Sequence, residues 1–190
     1  MIVVHPTDPS TRMLGLLYKG LPGVTIFDSW KQRSEILEAI STAPRDEPIL
    51  LLGHGSPGGL LDMRYGYVIR DEDAPLLRDR PNLVGIWCYA SDYASRHGLK
   101  GFFSGMFISE PPEAWMNDVE ATDEEVDEKV WDFSRRFGEM IHAGLPLEQI
   151  AAELSDPRHI TSPLTEYNYS RLTFRRTGRE PLPVPGYGCA

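Results

Sequence analysis

The sequence predicts a three-layer α/β domain built on a mostly parallel central sheet. Short apolar runs alternate with amphipathic segments through the first 110 residues, the order expected of successive βαβ units. Two of the runs, Ile49-Leu50-Leu51-Leu52-Gly53 and Leu83-Val84-Gly85-Ile86-Trp87, carry no polar side chain. Strands covered on both faces read this way. The chain has 190 residues, 41% of them apolar, which suits one domain with a sizeable core.

Residues 1–5 (MIVVH) read as the first strand. Ser10 or Thr11 suits the cap of a helix with Met13, Leu14 and Leu17 on one face, and Gly20 and Pro22-Gly23 end it. A second strand covers 24–27. Ser29 opens a helix that turns Ile36, Leu37 and Ile40 inward. After a loop at 43–46, the third strand runs over 48–53. The run Gly55-Ser56-Pro57-Gly58-Gly59 consists of turn formers. Residues 60–63 and 67–69 make a small hairpin, and 71–80 a short helix closed by Pro81-Asn82. The fourth strand ends at Cys88, a helix covers 91–97, and the fifth strand covers 100–108.

Ser109 suits the cap of the next helix, with Pro111 in its first turn. Thr122 and Glu125 form a capping-box pattern. Val126, Val130, Phe133, Phe137 and Ile141 then repeat at helical spacing, until Gly144 and Pro146 stop the helix. Residues 147–154 form a further amphipathic turn or two, and 167–175 a late strand. Extra helices thus fill the C-terminal third. The domain spans 1–177, and 178–190 read as a loose tail. The acidic stretch 110–128 reads as a solvated helix face.

The formal charge of −9 argues against nucleic acid as a partner, whose phosphates are met by cationic side chains. No apolar run reaches membrane-spanning length, and the first residues do not resemble a signal peptide. The two cysteines, Cys88 and Cys189, do not make a disulfide framework. The expectation is a cytoplasmic protein with reduced thiols and no membrane partner. The oligomeric state is not readable from the sequence.

Chemistry concentrates at two strand ends. His54 follows the third strand and Cys88 the fourth, 34 positions later. If those strands are neighbours, a base and a thiol emerge together at the carboxyl edge of the sheet, where open α/β folds place their chemistry. Cysteine acts as a nucleophile in its thiolate form, and a nearby histidine is a common activator. Taken singly, each residue also has a plain structural role: cysteine ending a core strand is commonly packing. His5 lies at another strand end and reads as a structural histidine. His97, His142 and His159 show no metal-ligand spacing, so no metal or other cofactor is expected. Phosphate binding at the glycine-rich 53–59 loop finds no supporting motif, and Ser56 lacks the elbow of a serine nucleophile.

The order of apolar strand, His54-Gly55, hairpin, helix, apolar strand and Cys88 resembles the caspase-like cysteine peptidases, a group that includes the bacterial CHAT domains. The resemblance covers roughly residues 1–110. It implies a Cys88–His54 dyad hydrolysing peptide bonds in a peptide or protein substrate, with no third carboxylate. It also implies an oxyanion hole from the backbone N–H groups of Gly55 and Cys88, and a primary specificity pocket partly built from the strand after the cysteine. Asp92 or Glu110 would there select a basic side chain, although both also read as surface or cap carboxylates. The sequence departs from that group at Tyr89-Ala90-Ser91, where a bulky Tyr89 would narrow the cleft, and it shows no activation cleavage site. A catalytically silent member that binds a partner protein is therefore the alternative. A second resemblance, of Gly53-His54-Gly55-Ser56 to the anaerobic cobalt and iron chelatases of tetrapyrrole synthesis, implies His54 as a metal-binding residue. In those enzymes, however, the motif ends the first strand.

Overall fold

The structure, a computed structural model, describes residues 1–6, 8–177 and 180–182. Its core is an α/β assembly around a mixed, mostly parallel sheet. Five strands run parallel: β1 (Ile2–Val4), β2 (Thr25–Phe27), β3 (Ile49–Leu52), β7 (Leu83–Ile86) and β8 (Gly101–Ser104). β9 (Leu172–Thr177) runs antiparallel to β8, and β10 (Glu180–Leu182) antiparallel to β9. The strand order is β10-β9-β8-β7-β3-β1-β2. A separate three-stranded sheet is formed by β4 (His54–Ser56), β5 (Gly59–Asp62) and β6 (Gly66–Arg70), with β5 in its centre.

Alternation along the strands divides the core into two. Val3, Leu50, Leu52, Val84, Ile86 and Phe102 face one cluster. It is closed by α5 (Asp123–His142), α6 (Leu147–Leu154), α7 (Pro163–Tyr169) and the 3-10 segment Pro9–Leu17. Ile2, Val4, Ile49, Leu51, Leu83 and Phe103 face the other, closed by α1 (Arg33–Thr42), α2 (Ala74–Leu77), α3 (Ala90–His97) and the three-stranded sheet. The remaining helix, α4 (Pro111–Met116), starts with proline in its first turn and lies near the carboxyl edge.

Several elements differ from the expectation. The first helix is 3-10 rather than α, and its cap is Asp8, whose side chain accepts from the Ser10 N–H, rather than Ser10 or Thr11. Pro9 occupies its first position, where a missing N–H is harmless. The turn formers after His54 contain β4, because Gly55 and Ser56 pair across to Leu60 and Gly59. The strand at 100–108 stops at Ser104. The late strand begins at Leu172, because Pro163–Tyr169 forms α7, capped by Ser162 in a capping box with Thr165. Thr122 does cap α5 through the Glu125 N–H. Of the segment read as a tail, 180–182 form β10, while 178, 179 and 183–190, including Cys189, lie outside the described residues.

Candidate functional site

β3 and β7 are immediate neighbours in parallel register, with Leu52 opposite Ile86. The ladder extends one step further through the Gly53 N–H to the Ile86 carbonyl, 3.0 Å. His54 and Cys88 therefore leave the sheet at one level on its carboxyl edge. Gly53 adopts φ +134°, a conformation open to glycine but strained for other residues. It turns the chain out of β3 and into β4. His54 and Cys88 line one small cavity of about 20 Å³, together with Met13, Phe107 and Ser109.

The two side chains have separate partners within that shared wall. The Cys88 thiol faces the Phe107 carbonyl at 3.8 Å and Glu113 Oε1 at 4.0 Å. Burial first, and then the Glu113 carboxylate, push its pKa up to about 11. At pH 7 the thiol is therefore held in its protonated form. Glu113 itself is fixed: its Oε2 accepts from the Ser109 N–H at 2.7 Å, the Ser109 hydroxyl at 3.1 Å and the Glu110 N–H at 3.2 Å.

His54 Nε2 lies 2.7 Å from Ser10 Oγ and 3.4 Å from Asp8 Oδ1. The same Asp8 oxygen accepts from the Ser10 hydroxyl at 2.6 Å and the Ser10 N–H at 2.9 Å. Burial raises the Asp8 pKa, but the Ser10 hydroxyl and N–H and the His54 ring outweigh it, and the net direction is downward. Among the described hydrogen bonds, none joins Cys88 to His54. Asp8 and Ser10 reach His54 because β1 lies beside β3, so the segment leaving β1 meets the residue leaving β3.

The glycine at 55 answers to Trp87. A Cβ there would lie 1.9 Å from Trp87 Cδ1 and 2.7 Å from the Gly59 carbonyl oxygen. The indole is fully buried, donates through Nε1 to the Ser56 carbonyl at 3.2 Å, and packs edge-on to Tyr93. The strand end before Cys88 is pinned by Ser104, whose hydroxyl accepts from the Trp87 N–H at 3.1 Å and donates to the Trp87 carbonyl at 2.9 Å. The Cys88 N–H donates to no carbonyl among the described backbone bonds.

Asp92 and Glu110 line different cavities. Asp92 sits with Tyr89, Met106, Tyr167 and Arg171 in an open depression of about 390 Å³. Glu110 sits with Ser10, Arg12 and Trp131 in another of about 140 Å³. In the first, Arg171 stacks over the Tyr167 ring, 3.4 Å from its centroid, and brings positive charge to the cavity that holds Asp92. Tyr89 is 40% exposed and adopts left-handed φ 69°, ψ 25° at the start of α3. It therefore flanks the open depression, while Trp87 and Phe107 wall the small cavity. Backbone strain of this kind at a non-glycine residue clusters at functional sites.

His5 is satisfied internally, by Tyr18 at 3.0 Å and Thr11 at 3.3 Å. Burial holds its pKa down at about 4, so the ring is neutral at pH 7. Among the described residues, no group of three or more histidine, cysteine, aspartate or glutamate side chains is placed to hold a metal ion. None of the described helices is long and apolar enough to cross a membrane.

Asp8 and Glu113 are site residues absent from the sequence expectations, and Ser10 entered them only as a helix cap. Each had a weak local signal as a helix-start residue: Asp8-Pro9-Ser10 before an apolar stripe, and Glu113 three positions after Glu110. No family model matches the chain, and neither does any curated protein or solved structure.

Proposed function

We propose that the protein is a peptide-bond hydrolase of caspase-like type, with Cys88 as nucleophile and His54 as its base, held here in a closed form. The observation that carries this reading is the common level of His54 and Cys88 at the ends of adjacent parallel strands, with one cavity between their walls. In the reaction the Cys88 S–H proton passes to His54 and the sulfur attacks the scissile carbonyl carbon. The carbonyl oxygen gains charge beside the backbone N–H groups of Cys88 and Gly55. Collapse breaks the C–N bond as His54 returns the proton to the departing amine, and water then hydrolyses the thioester.

A cavity of about 20 Å³ holds about one water molecule, so a substrate requires displacement of its walls. The acid-weak thiol points the same way: a carboxylate beside a buried sulfur suppresses the thiolate. These two features favour a second reading, a catalytically silent protein of the same architecture that binds a partner. The chelatase reading finds less support, because His54 Nε2 is already committed to Ser10 and Asp8.

A peptidyl chloromethyl ketone separates the readings. A hydrolase reacts at Cys88 with a rate that saturates in reagent concentration, far faster than at Cys189, and His54→Ala abolishes the difference. Slow, equal, non-saturating reaction of both thiols, unchanged in His54→Ala, would remove the dyad and leave the binding protein.

A further inference from the structure

We propose that Asp8 and Ser10 complete the site: the Asp8 carboxylate, acting through the Ser10 hydroxyl, keeps a proton on Nε2 of His54 and leaves Nδ1 as the basic atom of the ring. Only the use made of Nδ1 rests on the hydrolase reading above; the proton placement stands on the contacts alone.

The direction of the hydrogen bonds decides the tautomer. Ser10 has one hydroxyl proton and two close neighbours, Asp8 Oδ1 at 2.6 Å and His54 Nε2 at 2.7 Å. An ionised carboxylate can only accept. If Ser10 donated to Nε2, the Asp8 and Ser10 oxygens would stand 2.6 Å apart with no proton between them. The hydroxyl therefore donates to Asp8 and accepts from Nε2, which must carry the hydrogen. The direct approach of Asp8 Oδ1 to Nε2, 3.4 Å, adds Coulombic attraction to the same tautomer. The lowered pKa of Asp8 agrees with a carboxylate held ionised by these donors. Nδ1 has no hydrogen-bond partner among the described residues.

In the same orientation His54 cannot take the Ser10 proton, because the nitrogen facing Ser10 already carries one. Ser10 and Asp8 are positioning residues, the role that a third group plays for the base in nucleophilic sites generally. When the Cys88 S–H bond breaks and an N–H bond forms at Nδ1, the imidazolium keeps its Nε2–H on Ser10 and its positive charge beside Asp8. Asp8 is itself held as the cap of the segment Pro9–Leu17, so the bridge is built before any substrate arrives.

The test is nitrogen-15 NMR of the His54 ring in the full-length protein at neutral pH, where the shifts of the two ring nitrogens report which is protonated. In the wild type, Nε2 is expected protonated and Nδ1 bare. Ser10→Ala and Asp8→Asn should each bring in the Nδ1–H form, while Ser10→Thr keeps the wild-type spectrum because it keeps the hydroxyl. Asparagine is a good helix cap, so Asp8→Asn preserves the local fold, and Ser10→Ala leaves the cap residue in place. A wild-type ring protonated at Nδ1, or a Ser10→Ala spectrum identical to wild type, would overturn the proposal. In the labelling experiment Asp8→Asn should slow Cys88 by at least about tenfold, as loss of an orienting carboxylate does in related chemistry. If His54→Ala leaves that rate unchanged, the hydrolase reading fails, and the ring spectra still decide the role of Asp8 and Ser10.

Discussion

Glu113 adds a carboxylate to the burial that already disfavours the Cys88 thiolate. Its Oε1 stands 4.0 Å from Cys88 Sγ, and its charge adds to burial in raising the thiol pKa to about 11. Glu113→Gln keeps an acceptor for the Ser109 and Glu110 donors and removes the charge. Iodoacetamide labelling of Cys88 at pH 8 should then accelerate several-fold, with the midpoint of its pH profile moving down; an unchanged profile would show that the Glu113 charge does not contribute. His5 makes the opposite kind of prediction. Its folded pKa of about 4 lies below the ordinary 6.5, so in that interval the unfolded chain binds more protons than the folded one. Stability is then full above pH 6.5 and falls on acidification toward pH 4, by on the order of 3 kcal/mol from this group. His5→Gln removes the titration, and its denaturation midpoint should vary less between pH 6.5 and 4 than that of the wild type. Equal slopes would contradict this assignment. Neither effect was legible in the sequence, because both depend on what surrounds a side chain rather than on its neighbours along the chain.

At the scale of elements, side chains from distant segments finish what the backbone leaves open. Arg80, buried to 5% exposure, donates to the carbonyls of Leu76 at 2.9 Å, Pro44 at 2.8 Å and Ala43 at 3.3 Å, and to that of Ile40. It thereby caps the end of α1, whose last carbonyls have no partner within the helix. Arg80→Ala should cost about 3 kcal/mol in urea unfolding, because it orphans the buried Ile40 carbonyl and three part-buried ones at once; a loss below about 0.5 kcal/mol would mean that water replaces the guanidinium. Asn168 joins α7 to the loop before α4, donating to the Ile108 carbonyl at 2.9 Å and accepting from its N–H at 2.8 Å. That clamp fixes Phe107, whose carbonyl faces the Cys88 thiol. The repeating apolar positions of α5 were readable in the sequence because a 3.6-residue period survives without its partner. The 3-10 form of Pro9–Leu17 was not, since the same stripe of Met13, Leu14 and Leu17 fits an α-helix equally well.

Across the whole molecule, β3 and β7 lie at the centre of the sheet, covered on both faces by the two cores. The three-stranded sheet packs Leu60, Val68 and Ile69 into one face of the second core and is held there by the Tyr93 hydroxyl, which donates to the Arg70 carbonyl at 2.7 Å, while its β4 edge is only half-buried. Native-state hydrogen exchange should therefore find the β3 and β7 amides opening only with global unfolding, and the β2 and β4 amides opening well below that free energy. Equal protection across β2, β3 and β4 would refute this gradient. The site straddles the boundary: Cys88 follows the central strand β7, whereas His54 begins β4.

The sequence by itself determined that the chain is α/β, that its central strands are buried, and that His54 and Cys88 stand at strand ends. Those facts are written in runs of apolar residues and in the punctuation of glycine and proline, which act over a few positions. Only the tertiary structure decided which groups meet at that edge. Asp8 and Ser10 reach His54 across 46 and 44 positions because β1 pairs with β3. Glu113 reaches Cys88 because α4 follows β8 over the same edge. Pairing and burial between distant segments leave no local pattern, and it is these that set the charge state of the thiol and the hydrogen bonds of the histidine.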